Sequence, residues 1–187
     1  TVNSFKWSND GKHIYFVAPT DGTIQLFQVS VNTKTKAKPK IKQLTNGQFD
    51  VNSIVAVLDN QLVVTRNSMN AAREIYRLDL KSKKLVALTK ENNAFYASLD
   101  LPNVEKRMVK TKDGQDMLTW VIYPPNFDKS KKYPTLLYLQ GGPQSALSQF
   151  YSFRWNFQVM ASQGYIVVAP NRRGMPGHGV QWNEDIS

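Results

Sequence analysis

The chain has 187 residues, of which 41% are hydrophobic and 20% charged, and it contains no cysteine. That composition fits one ordinary globular domain or parts of two, and it excludes a disulfide scaffold and a cysteine-ligated metal site. The net charge of +10 is spread over connections: Lys34, Lys36, Lys38, Lys40 and Lys42 in one, Lys81, Lys83 and Lys84 in a second, Lys129, Lys131 and Lys132 in a third. None of these clusters has the interleaved aromatics that stack bases, so they read as solvated loop tips and no nucleic-acid partner is expected. No apolar run approaches the roughly 20 residues that span a bilayer. The first residues hold no apolar signal core.

Residues 1–95 read as short strands parted by polar turns. Phe5-Lys-Trp7 and Ile14-Tyr-Phe-Val17 flank Asp10-Gly11, which predicts a hairpin closed by a two-residue turn. An alternating strand follows over residues 23–31, and Ile41-Lys-Gln-Leu-Thr45 closes the group. The pattern then recurs. Leu62-Val-Val-Thr65 matches the Ile14 strand, residues 74–80 match the Ile24 strand, and Leu85-Val-Ala-Leu-Thr89 matches residues 41–45. Phe27 and Tyr76 lie 49 positions apart, and Leu44 and Leu88 lie 44 apart. Four-stranded propeller blades repeat at about 40–50 residues. A small self-contained β-sandwich is the alternative, but the matched order, closing Leu-Thr pair included, favours two blades of a longer propeller.

A polar linker from Lys90 ends the repeat. Residues 104–110 and 117–123 form another predicted hairpin about Asp113-Gly114, with heavier apolar content, and Pro124-Pro125 stops it. The boundary is therefore expected near residue 100. Residues 134–139 form an apolar run of the kind a strand buried on both faces shows. It ends at Gln140-Gly141-Gly142-Pro143. A helix is expected next, with Phe153, Phe157 and Met160 on one face and Gly164 beyond its C-terminus. Residues 165–169 read as a second buried strand, ended by Asn171-Arg172-Arg173-Gly174. This is a βαβ unit with glycine-rich loops at the carboxyl ends of both strands, the edge where open α/β sheets place their sites.

Leu-Leu-Tyr-Leu-Gln-Gly-Gly-Pro (136–143) and Gly-Tyr-Ile-Val-Val-Ala-Pro-Asn-Arg-Arg-Gly (164–174) resemble the start of the catalytic domain in the prolyl oligopeptidase family of serine peptidases. Within it they are most similar to the dipeptidyl-peptidase and acylaminoacyl-peptidase branch. The resemblance implies the last two blades of a β-propeller (1–99) followed by the N-terminal part of an α/β-hydrolase domain (100–187). It further implies peptide substrates, hydrolysis near peptide N-termini through an acyl-enzyme, no cofactor, and a periplasmic or secreted setting; a homodimer is compatible with it. A propeller-bearing esterase and a non-catalytic propeller binding module are the alternatives.

The same resemblance assigns the backbone N–H of Gly142, or of Gly141, to the oxyanion hole. The dipeptidyl-peptidase IV group carries tyrosine at the position of Gln140, and acylaminoacyl-peptidases often histidine, so Gln140 departs from both. Gln140, Arg172, Arg173 and Tyr151 are candidate substrate contacts. One arginine is expected to brace the glycine loops and the other to reach substrate. Read alone, Gly-Gly-Pro is an ordinary tight turn, Arg172-Arg173 a surface pair, and Tyr151, with Phe150 and Trp155, helix packing. His178 precedes the point at which an α/β-hydrolase places its base, since the order there is serine, acid, histidine. His13 reads as structural, and no histidine and carboxylates have metal-ligand spacing. No serine sits in G-x-S-x-G, so the triad is expected in polypeptide beyond Ser187. The 187 residues alone are expected to hydrolyse nothing.

Overall fold

The computed structural model describes residues 2–31 and 38–186; Lys34 and Lys36 of the lysine-rich connection, and Ser187, lie outside them. The first sheet is an antiparallel meander of β1 (Ser4–Trp7), β2 (His13–Thr20), β3 (Thr23–Ser30) and β4 (Ile41–Gln43). The second repeats that order with β5 (Asp50–Val57), β6 (Gln61–Ser68), β7 (Ala71–Asp79) and β8 (Leu85–Ala87). One apolar core serves both, with Val17, Leu26, Val51, Leu62, Val64 and Leu78 fully buried within it.

The repeat read from the sequence reappears in the hydrogen bonds that close the two sheets. Where β4 ends, the Thr45 hydroxyl accepts from Leu26 N–H at 2.9 Å and donates to Gln25 Oε1 at 2.7 Å. Where β8 ends, the Thr89 hydroxyl accepts from Ile75 N–H at 2.9 Å and donates to Glu74. Leu44 N–H and Leu88 N–H pair with the carbonyls of Leu26 and Ile75, each at 2.8 Å. The closing Leu-Thr pair thus lets a hydroxyl continue the ladder after the strand has stopped, satisfying a donor that would otherwise be left unpaired.

The hairpin turns differ from the expectation. β1 and β2 do pair, Trp7 opposite Ile14, but five residues connect β1 to β2, with Asp10 Oδ1 accepting from Ser8 Oγ and Lys12 N–H. The two-residue turn is Asp21-Gly22, between β2 and β3, with φ of 50° and 75°. Positive φ at both positions matches the right-handed twist of the strands it joins.

A short helix, α1 (Asn93–Ala97), leads to the third sheet. Its strands are β9 (Val104–Lys110), β10 (Asp116–Ile122), β11 (Thr135–Leu137) and β12 (Ile166–Pro170), in the order β11-β12-β10-β9. β11 and β12 are parallel and joined through α2 (Phe157–Ser162), as the βαβ reading requires. Asn156 caps α2, its side chain accepting from Gln158 and Val159 N–H, and Gly164 follows at φ 88°.

Two expectations fail here. Phe153 precedes the cap and is 88% exposed, so it shares no helix face with Phe157. Among the described residues, nothing covers the 134–139 run on both sides. β11 is the edge of its sheet, and Leu137 and Leu139 are 61% and 66% exposed.

The first and third sheets meet at the Asp21-Gly22 turn. A Cβ on Gly22 would lie 2.8 Å from Leu118 Cδ1 and 3.2 Å from Trp120, both fully buried. Gly22→Ala combines that clash with a strained φ and is expected to destabilise by about 1–3 kcal/mol, read as a lowered thermal midpoint. An unchanged midpoint would place the contact outside the folded core.

Candidate functional site

The carboxyl ends of β11 and β12 carry the two glycine-rich loops side by side. Gly142 adopts φ 111°, which an L-side chain rarely tolerates, and an added Cβ would meet Ser145 Cβ at 3.3 Å. Gly141 and Gly142 are exposed. Neither N–H donates to another group among the described residues. Arg172 ties the loops together: its Nη2 donates to the Gln140 carbonyl at 3.1 Å and its Nη1 to the Arg173 carbonyl at 3.0 Å. The Gln140 side chain is held as well, its Oε1 accepting from the Tyr138 hydroxyl at 2.8 Å.

Arg173 is differently engaged. It pairs with both Asp185 and Asp113 and lies 4.8 Å over the Trp182 ring. Its guanidinium therefore locks the loop after β12 against α3 (Val180–Glu184) and the β9–β10 turn. Tyr151 is half-buried. It lines a cavity of 340 Å³ with Tyr96, Leu101, Pro102 and Val159. Burial first, then a hydrogen bond with Tyr96, raises its phenol above the usual tyrosine range. Phe150 packs edge-on against Phe157 at 5.3 Å, and Trp155 lies 6.5 Å from Tyr138. His178 contacts Trp182, its Nε2 is buried without a hydrogen-bond partner among the described residues, and burial lowers its pKa. His13 stacks on Tyr15 within β2.

The sequence reading missed the groups that hold this corner. Leu147, Ser148 and Gln149 are buried but belong to no strand. Asn171, fully buried, accepts from Leu147 N–H at 2.9 Å and donates to its carbonyl at 2.9 Å, while Trp120 Nε1 donates to that carbonyl at 3.1 Å. From the second sheet, Asp50 accepts from Ser148 Oγ at 2.6 Å and Gln149 N–H at 3.2 Å, and Asn67 Nδ2 donates to the Gln149 carbonyl at 2.6 Å. Asp50 also accepts from Ile24 N–H at 2.8 Å. Burial raises its pKa from 3.8 to about 6, against the lowering effect of these donors and of Arg73. The sequence pattern assigns no element to residues 46–61, so β5 and Asp50 at its start come from the structure alone.

The comparisons agree with this architecture. Residues 1–119 match the family described as the dipeptidyl peptidase IV (DPP IV) N-terminal region, and residues 151–187 match the prolyl oligopeptidase family. The chain belongs to the prolyl oligopeptidase family, in its dipeptidyl peptidase IV-like branch. Among curated proteins, it is 46% identical over 186 residues to dipeptidyl-peptidase 5 of Porphyromonas gingivalis, covering 100% of this chain and 26% of that protein. It is 48% identical over 174 residues to dipeptidyl-peptidase 5 of Porphyromonas endodontalis, covering 93% of this chain and 24% of that one. The chain thus spans about a quarter of the length of these relatives. Among solved structures, it superposes on the Pyrococcus horikoshii acylaminoacyl peptidase with a TM-score of 0.80 at 20% identity, over 99% of this chain and 27% of that one. That likeness gives the fold, propeller-type sheets followed by the opening of a hydrolase sheet.

The raised pKa of Asp50 sets a pH dependence. Between pH 3.8 and 6 the folded state holds a proton that the unfolded chain has released, so stability from this group is greatest below 3.8 and falls as pH rises to 6. Asp50→Asn removes the titration. Relative to that variant, the wild type should lose about 3 kcal/mol of unfolding free energy between pH 3.5 and 7. Denaturant titrations at several pH values check this; a difference independent of pH would contradict it.

Proposed function

We propose that this chain is part of a serine exopeptidase that releases dipeptides from peptide N-termini. In this reading residues 1–99 are the last two blades of a β-propeller and residues 100–187 open the catalytic domain. The exposed apolar edge of β11 supports a sheet that continues into further polypeptide. The names of the 46–48% identical relatives, dipeptidyl-peptidase 5, support the dipeptide class.

The observation that carries the reading is the pair of unengaged, exposed amides at Gly141 and Gly142, at the carboxyl end of a parallel strand. In acyl transfer a serine oxygen, here supplied by residues outside this chain, attacks the scissile carbonyl carbon. The carbonyl π electrons move to oxygen, and the resulting oxyanion needs donors already in place. In α/β-hydrolases one such donor is a backbone N–H from the loop after the third strand. Gly142, with Gly141 beside it, supplies it; when the tetrahedral adduct collapses, the C–N bond breaks, and the amine leaves with the proton that the serine hydroxyl gave up to a base outside this chain, leaving an acyl-enzyme for water to hydrolyse. Arg172 keeps the Gln140 carbonyl turned toward itself, which fixes the direction of the following amides. Gln140 stands at the rim of the site. Arg173 acts on the loop rather than on substrate.

The test is turnover of a panel of dipeptidyl p-nitroanilides by the full-length gene product, with inhibition by a serine-directed phosphonate. Gly142→Ala should lower kcat about ten- to a hundredfold through a displaced donor, with KM within threefold. Turnover of simple esters but of no dipeptidyl substrate would replace the peptidase by an esterase. Absence of any turnover would leave a binding module.

A further inference from the structure

We infer that Asp50, with its cross-strand partner Asn67, is a positioning residue for the glycine turn: the second sheet holds the turn in place through Ser148 and Gln149. The proposal deepens the reading above for its kinetic consequence, but its structural content is independent of it.

After the turn at residues 140–143 the backbone runs through a buried segment that no strand accompanies. Buried N–H and C=O groups without partners are costly, so side chains must satisfy them. Asp50 and Asn67 face each other across β5 and β6, and together they treat Gln149 as a neighbouring strand would. Asp50 Oδ1 takes its N–H at 3.2 Å and Asn67 Nδ2 meets its carbonyl at 2.6 Å. Asp50 Oδ2 takes the Ser148 hydroxyl at 2.6 Å. Gln149 returns the contact, its Oε1 accepting from Met69 N–H at 3.3 Å. All four side chains are at least 96% buried, so water cannot replace these bonds.

Leu147, two residues before Gln149, is fixed on its other side by Asn171 and Trp120. The segment is thereby clamped between the second sheet and the third, five residues beyond Gly142. An unclamped segment would let the turn sample orientations in which its amides no longer converge, and placement errors of about 1 Å at a reacting centre cost on the order of a hundredfold in rate. Asparagine can keep the arrangement. Its Oδ1 can accept from Ile24 and Gln149 N–H while its Nδ2 donates to Ser148 Oγ.

The experiment compares wild type, Asp50→Ala and Asp50→Asn in the full-length protein by hydrogen exchange resolved to Leu147, whose own acceptor, Asn171, is untouched. Asp50→Ala should speed exchange at Leu147 at least tenfold while amides of β6 and β7 stay within twofold, and Asp50→Asn should restore protection to within threefold. On a dipeptidyl p-nitroanilide, kcat should fall at least tenfold in Asp50→Ala with KM within threefold, and Asp50→Asn should recover it. Unchanged exchange at Leu147, or a rise shared equally by β6 and β7, would overturn the proposal. So would a KM effect with kcat intact. Should Asp50→Ala not fold, Ser148→Ala carries the same comparison, with the same exchange results deciding. If the wild type turns over no peptide, the functional reading fails while the exchange data still decide the positioning role.

Discussion

A stretch of buried backbone that lacks a strand partner is the constraint on which this structure turns. Residues 147–149 must pass between two sheets, and their polar groups have no ladder to join. The solution is to build a ladder out of side chains: Asn171 and Trp120 on the side of the third sheet, Asp50 and Asn67 on the side of the second. Bonds of this kind contribute modestly when made and cost more when broken, because each leaves a buried group unsatisfied. The second and third sheets are thereby held at one place, while the turn between β2 and β3 meets the third sheet and its following loop separately, with Gly22 against Leu118 and Asp21 N–H donating to the Gly177 carbonyl at 2.9 Å.

The glycine turn follows from that anchoring. Its far end is clamped at Leu147 and its near end is drawn toward Arg172 through the Gln140 carbonyl. Between those two fixed points Gly142 takes a φ of 111°, and the exposed amides are left with no intramolecular acceptor among the described residues. Preorganised donors of this sort do not have to reorient as charge develops on a substrate oxygen. Arg173 adds rigidity from the other side by pairing with Asp185 and Asp113, so the two adjacent arginines divide the work of bracing the two loops.

How much of this was legible depends on whether the signal was local. The repeat in residues 1–95 could be read because Gln25, Leu26 and Thr45 have counterparts in Glu74, Ile75 and Thr89, and strand ends are set by such short-range pairings. The βαβ unit was readable from its apolar runs and glycines. The apolar run at 134–139 reports what a strand would bury, whereas β11 lies at an edge of its sheet. The spacing of Phe153 to Phe157 fits a shared helix face, yet Asn156 as cap starts the helix later. The clamp was invisible. Asp50 and Ser148 stand 98 positions apart, and neither falls in an element the sequence pattern predicts.

The central claim is that Gly141 and Gly142 present amides to a developing oxyanion from a turn held rigid at both ends. A crystal structure of the full-length protein with a peptide boronate bound tests it most directly. The account predicts a boronate oxygen about 3 Å from Gly142 N or Gly141 N, with the Asp50 to Gln149 contacts unchanged. A boronate oxygen held entirely by other groups, with both glycine amides turned away, would contradict it.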